Sequence, residues 1–246
     1  MQTPDPKLKA NSRVALVTGG AGRIGAIVVQ SLAAAGYAVA IHANRSLYEA
    51  RETARQFEAA GVRSIAVTAN MREEGPVRAM VHRVADHFGR IDALVTCASI
   101  YHAGPFEDVT AEDLRAHYDV NCIGTFVTAQ EVGAVMIHQA SGGSIVTMGG
   151  CAIDQPQLDD AAYVPSKGAI PALTRSLAVE FAARNPRVRV NCVLPGPVAR
   201  PADRATDTLE QVAHTVMFLL AHECLTGVCL PVDGGQSITH QTPAVG

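Results

Sequence analysis

The stretch Val14-Ala15-Leu16-Val17-Thr18-Gly19-Gly20-Ala21-Gly22-Arg23-Ile24-Gly25 runs from an apolar strand-like segment through a glycine turn into a segment with helical periodicity. Glycine lets a backbone turn tightly and approach a bound group closely. The unpaired N–H groups and positive dipole end of the helix attract a phosphate. The stretch therefore reads as a nucleotide-phosphate cradle, with Gly19, Arg23, Ile24 and Gly25 at its rim. A glycine turn alone is a weak signal. It gains weight from a second motif far downstream, Tyr163-x-x-x-Lys167.

Outward from the turn, the chain alternates strand and helix. After a first helix over about 23–35, Tyr37–Ile41 reads as a strand, Ser46–Ala60 as a helix closed by Gly61, and Val62–Thr68 as a strand. Apolar residues at 77, 80, 81, 84 and 88 mark a helix over Pro76–Phe88, and Ile91–Thr96 is the fourth strand. Thr110–Gln139 reads as one long helix opened by the capping-box pattern Thr110-Ala-Glu-Asp113. Ser144–Met148, Arg187–Leu194 and Gly227–Val232 are further strands, with helices over Tyr163–Ala183 and Leu209–Leu220. Strands joined by crossover helices are parallel, and their continuous apolar runs suit a sheet covered on both faces. The expectation is an α/β, doubly wound parallel sheet forming one domain over residues 12–246, preceded by a flexible tail over 1–11. Ligands of such sheets bind beyond the C-terminal strand ends. Pro171, two turns into its helix, removes a hydrogen bond and predicts a kink.

Composition narrows the partner. A net charge of −3 without a basic run disfavours nucleic acid and anionic membrane surfaces, leaving a small molecule. No apolar run reaches the length of a membrane span and the N-terminus lacks an apolar signal core, so the expected location is cytoplasmic. Six cysteines without CxxC spacing read as reduced thiols, and nine histidines without ligand spacing give no metal site.

Tyr163 and Lys167 are one helical turn apart and share a face. A tyrosine titrates near ~10, so exchanging a proton at neutral pH calls for a nearby positive charge. The alternative is a surface tyrosine and lysine that happen to be neighbours.

The ordered set Thr18-Gly19 to Gly25, Asn121, Tyr163-x-x-x-Lys167, Pro195-Gly196 and Val232-Asp233-Gly234-Gly235 resembles the short-chain dehydrogenase/reductase family over about residues 12–238. The resemblance implies a Rossmann fold and NAD(P)-dependent reduction of a C=O, C=N or C=C bond. It implies that Tyr163 supplies the proton, that Lys167 lowers the tyrosine pKa and holds the nicotinamide ribose, and that Asn121 anchors a relay water. Within the family the chain is most similar to pteridine reductases, through Arg23, the run His42-Ala43-Asn44-Arg45-Ser46, and Ala98-Ser99-Ile100-Tyr101, whose aromatic would stack on a pterin.

Cofactor choice follows from the end of the second strand. A carboxylate there would hold a ribose 2′-hydroxyl and repel a 2′-phosphate. The residue present is Ala43, with Arg45, Ser46 and Arg23 nearby, which favours NADP(H). The other reading of Arg45 is a solvated loop arginine. Asn70-Met71 stands where relatives contact adenine.

Several positions depart from the family pattern. The place of the catalytic serine is Gly150, which cannot polarise a carbonyl; a water, Ser99 or Cys151 could take over. Asn-Asn-Ala-Gly is replaced by Thr96-Cys97-Ala98-Ser99. Arg200 stands where a threonine usually clamps the carboxamide, and either faces an anionic substrate group or is an exposed loop arginine. The stretch between Gly196 and Thr226 is short for a substrate lid. Ser99, Tyr101, Gly150, Cys151 and Arg200 are the expected pocket residues.

Two functions are consistent with these features. One is an NADPH-dependent, pteridine-reductase-like enzyme acting on a pterin, folate or other planar carbonyl or imine. The other is an NADP(H)-binding pseudoenzyme or assembly subunit. Family resemblance also implies a homotetramer, or failing that a dimer, paired through the helices over 110–139 and 163–183.

Overall fold

The computed structural model describes residues 12–196 and 209–238. The tail over 1–11 and Arg200 lie outside them. Seven parallel strands form one sheet in the order β3-β2-β1-β4-β5-β6-β7. They are β1 Val14–Thr18, β2 Ala38–His42, β3 Ser64–Val67, β4 Ala93–Thr96, β5 Gly143–Met148, β6 Val188–Pro195 and β7 Cys229–Val232. The helices are α1 Arg23–Ala34, α2 Leu47–Ala59, α3 Glu74–Phe88, α4 Ala111–His117, α5 Gly124–Ile137, α6 Tyr163–Ala182 and α7 Leu209–Ala221. The expected doubly wound sheet is therefore the observed architecture.

Strand residues alternate between two cores, as a pleat of period two requires. Val14 and Leu16 of β1 face one layer with α3, α5 and α6, while Ala15 and Val17 face the other with α1, α2 and α7. Both faces are apolar because both are covered. Chain order reverses between β1 and β4, which pair from Ala15↔Ala93 to Thr18↔Thr96. Crevices open at the C-terminal strand ends at such a reversal, and the glycine turn after β1 sits beside the loop after β4.

The long helix expected over 110–139 differs from the sequence reading. Thr110 and Asp113 do form the capping box, but α4 and α5 are separated by a π-helical segment, Tyr118–Ile123, that carries Asn121. Periodicity cannot reveal a one-residue widening of the turn, a feature that often marks a functional position. By length and apolar composition, Ala111–Ile137 would suffice to cross a membrane, yet more than half of it is buried inside the fold. α3 starts two residues before Pro76, which sits in the first turn where no N–H bond is lost. Pro171 lies inside α6, which continues to Ala182.

Candidate active site

The glycine turn is built around close approach. Gly19 has φ +64°, and a Cβ there would lie 2.8 Å from the backbone nitrogen of Ala98. A Cβ on Gly25 would fall on the Gly19 carbonyl oxygen. The backbone N–H of Gly22 donates to Gly19 O at 3.0 Å, and the first helical bond of α1 runs from Ala26 N–H to Gly22 O. No side chain caps α1, so the N–H groups of its first turn, at Arg23, Ile24 and Gly25, point out of the helix end.

A histidine that sequence showed only as the first residue of the run His42 to Ser46 secures this turn. The Gly19 N–H donates to His42 Nδ1 at 3.1 Å, so Nδ1 is the bare nitrogen and Nε2–H donates to Ala69 O at 3.1 Å. His42 thus ties the loop after β1 to the chain leaving β3. It is 1% exposed, and burial lowers its pKa despite the opposing bond to Ala69. The neutral ring is the form these two bonds require. Arg45 and Ser46 are exposed just beyond it. Asn70 instead organises its own loop, donating to Glu73 Oε1 at 2.6 Å and accepting from Arg72 N–H at 3.2 Å, while Met71 is buried.

The other side of the crevice joins the loop after β4 to α6. Asn121 uses its whole amide here. Oδ1 accepts from Ser99 Oγ–H at 3.0 Å and Ile100 N–H at 2.8 Å, and Nδ2 donates to Ile100 O at 3.1 Å and Ser166 Oγ at 3.0 Å. Ser166 passes its proton to Tyr163 O at 2.6 Å. The Ser99 hydroxyl also lies close enough to the Tyr163 phenol to pull its pKa down, the effect of a donor to the phenolate. A hydroxyl has one proton and two lone pairs, so the proton that Ser99 gives to Asn121 is the one it would turn to the phenol when charge develops there.

Tyr163 opens α6 and Lys167 lies one turn on, 4% exposed, its ammonium donating to Met148 O at 3.0 Å. Burial lowers the Lys167 pKa to about 8. The Tyr163 phenol moves the other way. Burial raises it to about 12, with Asp160, Tyr101 and Cys151 adding to the rise and Ser99 opposing it. The expectation that Lys167 lowers the tyrosine pKa is corrected on this point. The dominant influence is desolvation, and the lysine is turned to a strand carbonyl, so the phenol is held protonated.

Of the expected pocket residues, Ser99, Tyr101 and Cys151 surround Tyr163. Gly150 follows β5 with φ −173° in open space, with nothing within 4 Å of where a Cβ would be. Pro195 ends β6, and Gly196 donates to Val232 O at 2.9 Å. Two further residues join the group: Asp160 accepts from Tyr101 O–H at 2.8 Å, and His117 stacks edge-on at 6.1 Å from Tyr163. Neither belongs to a spaced motif that sequence could display.

The residues fit a dinucleotide. The bare turn and open helix end suit a pyrophosphate, Arg45 with Ser46 a 2′-phosphate, and Lys167 a ribose beside Tyr163.

Comparison with known proteins agrees with this geometry. The family model for short chain dehydrogenase matches residues 13–211. A 3-oxoacyl-[acyl-carrier-protein] reductase of Rattus norvegicus is 34% identical over 242 residues, covering 92% of this chain and 99% of that protein. Among solved structures, a short chain dehydrogenase from Burkholderia cenocepacia in complex with NADP is 34% identical, with TM-score 0.82 over 93% of this chain and 98% of that one. FolM alternative dihydrofolate reductase 1 from Brucella canis, complexed with NADP, is 31% identical, with TM-score 0.85 over 97% and 99%. The chain belongs to the short-chain dehydrogenase/reductase family and is an NAD(P)-dependent oxidoreductase.

Proposed function

We propose that this protein is an NADPH-dependent reductase of a planar carbonyl or imine compound, of the pterin and folate type. The single observation that carries the reading is Ser99, bonded to Asn121 and set against the Tyr163 phenol, beside a cradle suited to a phosphorylated dinucleotide. The FolM likeness supports the substrate class, and the run His42 to Ser46 supports the choice of cofactor.

The cofactor, when bound, supplies the hydride. Tyr163, protonated across the physiological range, gives its proton to the substrate atom that gains electron density. The Ser99 hydroxyl then rotates from Asn121 Oδ1 to the phenolate, the donor that Gly150 cannot provide. Lys167, one turn on, carries a charge that is largely present at neutral pH. Asn121 and Ser166 fix the geometry, joining the loop after β4 to the first turn of α6.

The test is consumption of NADPH, with NADH in parallel, against oxidised and dihydro pterins, dihydrofolate and planar quinones. Turnover of the heterocycles with NADPH supports the reading. Turnover confined to acyl thioester ketones would replace it with the activity named for the rat relative.

We further propose a homotetramer. Leu114, Ile123 and Phe126 along α4 and α5 and Val179 on α6 are exposed apolar residues on the two helices expected to pair. Sedimentation at the mass of a single chain would contradict it.

A further inference from the structure

The mechanism above leaves one charged group in the site without a role. Asp160 is 7% exposed, and its backbone carbonyl accepts from the N–H groups of Tyr163 and Val164, each at 3.0 Å. Its neighbour Asp159 takes a left-handed φ of +67° and accepts from Gly104 N–H at 3.1 Å. Aspartate is among the few non-glycine residues that adopt that conformation, and the backbone bonds to Gly104 and to Tyr163 and Val164 pin this short loop from two sides.

The side chain faces the reacting group. Asp160 Oδ1 accepts from Tyr101 O–H at 2.8 Å, and the Tyr101 ring stands edge-on to Tyr163, centroids 4.9 Å apart at 85°. Asp160 also acts electrostatically on the Tyr163 phenol. Among the described residues no Lys, Arg or His pairs with it. Its second carboxylate oxygen has no partner there, yet it is not one of the side-chain atoms sealed from solvent without a hydrogen bond. A nearly buried carboxylate with one donor among the described residues is costly unless something else completes its shell, and the Tyr101 that holds it stands against the Tyr163 ring.

We propose that Asp160, oriented by Tyr101, recognises an N–H edge of the substrate. The site then takes a planar nitrogen heterocycle presenting an amidine- or guanidine-type N–H pair, in preference to a neutral compound of the same outline. This assignment rests on the reading of Tyr163 as the centre of a reductase site. Of two N–H groups, one donates to the open oxygen and the other to the remaining lone pair of the oxygen that Tyr101 holds, both as charge-assisted bonds. A carbonyl or ether oxygen in the same place would meet lone pairs instead.

The probes are 2-aminoquinoline, which presents the N–H pair once its ring nitrogen is protonated, and 2-methylquinoline, which shares the planar outline and lacks the amino donor. Their binding to the NADP+-loaded protein is measured by calorimetry for the natural chain and for Asp160→Asn. The natural protein is expected to bind the amino compound about tenfold more tightly, and the Asn variant to bind the two within about twofold of each other. Unchanged binding of 2-methylquinoline shows that the pocket is intact. Should the Asn variant not fold, Asp160→Ser is measured in the same way, and it must lose the preference for the amino compound. Equal affinity in the natural protein, no binding of either probe, or a preference that survives Asp160→Asn overturns the proposal. NADPH turnover is followed separately. An Asp160-dependent N–H preference without any turnover contradicts the reductase reading and leaves the recognition role standing.

Discussion

The Ser99 hydroxyl donates to Asn121 Oδ1 at 3.0 Å and lies against the phenol of Tyr163, whose pKa it lowers. One small side chain in the loop after β4 thus links the residue on the π segment to the residue that opens α6. Removing it leaves Asn121 with the Ile100 N–H and leaves the phenol without its local partner. Ser99→Ala is expected to lower kcat about tenfold, the worth of one hydrogen bond of about 1–1.5 kcal/mol at a developing charge. NADPH affinity, measured by cofactor fluorescence, should stay the same. An unchanged kcat would remove Ser99 from the proton path.

Lys167 is a functional group placed at a cost in stability. Its folded-state pKa of about 8 lies below the ordinary 10.5, so between those values the unfolded chain holds a proton that the folded chain has released. Stability from this group therefore rises with pH across that window, and below it the buried charge costs on the order of 3 kcal/mol. Lys167→Met should lose turnover yet raise the melting temperature more near neutral pH than at about pH 10. A melting point lowered equally at both values would contradict the argument.

His42 has the opposite sensitivity, on the acid side. Burial holds its pKa below the usual 6.5, so the unfolded chain takes up the proton first as pH falls, and stability declines below about pH 6.5. A protonated ring would also turn an N–H toward the Gly19 N–H. His42→Phe should flatten this acid limb in urea unfolding, and it should lower stability at neutral pH by about 2–4 kcal/mol by stranding two backbone groups. An acid limb unchanged in the variant would assign it to another group.

Arg45 separates the two cofactors. Arg45→Ala is expected to weaken NADPH binding about tenfold while NADH changes by less than about twofold. Calorimetric titration of both cofactors checks it, and equal losses would make Arg45 a solvated loop residue.

Much of this was legible in the sequence because the informative residues are tied to local geometry. Gly19 and Gly25 have no room for a side chain, and Tyr163 and Lys167 lie one helical turn apart, so motif spacing together with the family resemblance pointed to them. Alternation along β1 and its partners read out the covered sheet in the same way. What stayed hidden depends on long-range pairing. His42 reads as part of a loop motif until its bonds to Gly19 and Ala69 appear, and Asp160 acquires meaning only when Tyr101, fifty-nine residues earlier, folds against it. Asn70, expected at the cofactor, also organises its own turn through Glu73 and Arg72, which its place in the sequence did not show. The direction of the Tyr163 shift was also out of reach, because the extent of burial is a property of the packed fold.

The central claim is that Tyr163 supplies the proton for reduction. Its most direct test compares NADPH oxidation by the natural protein and by Tyr163→Phe, with dihydrofolate or a pterin as substrate and cofactor binding confirmed for both. The account predicts turnover by the natural protein and a loss of about 10²–10⁴-fold in the variant with NADPH affinity retained. A Tyr163→Phe protein that reduces substrate at the natural rate would contradict it.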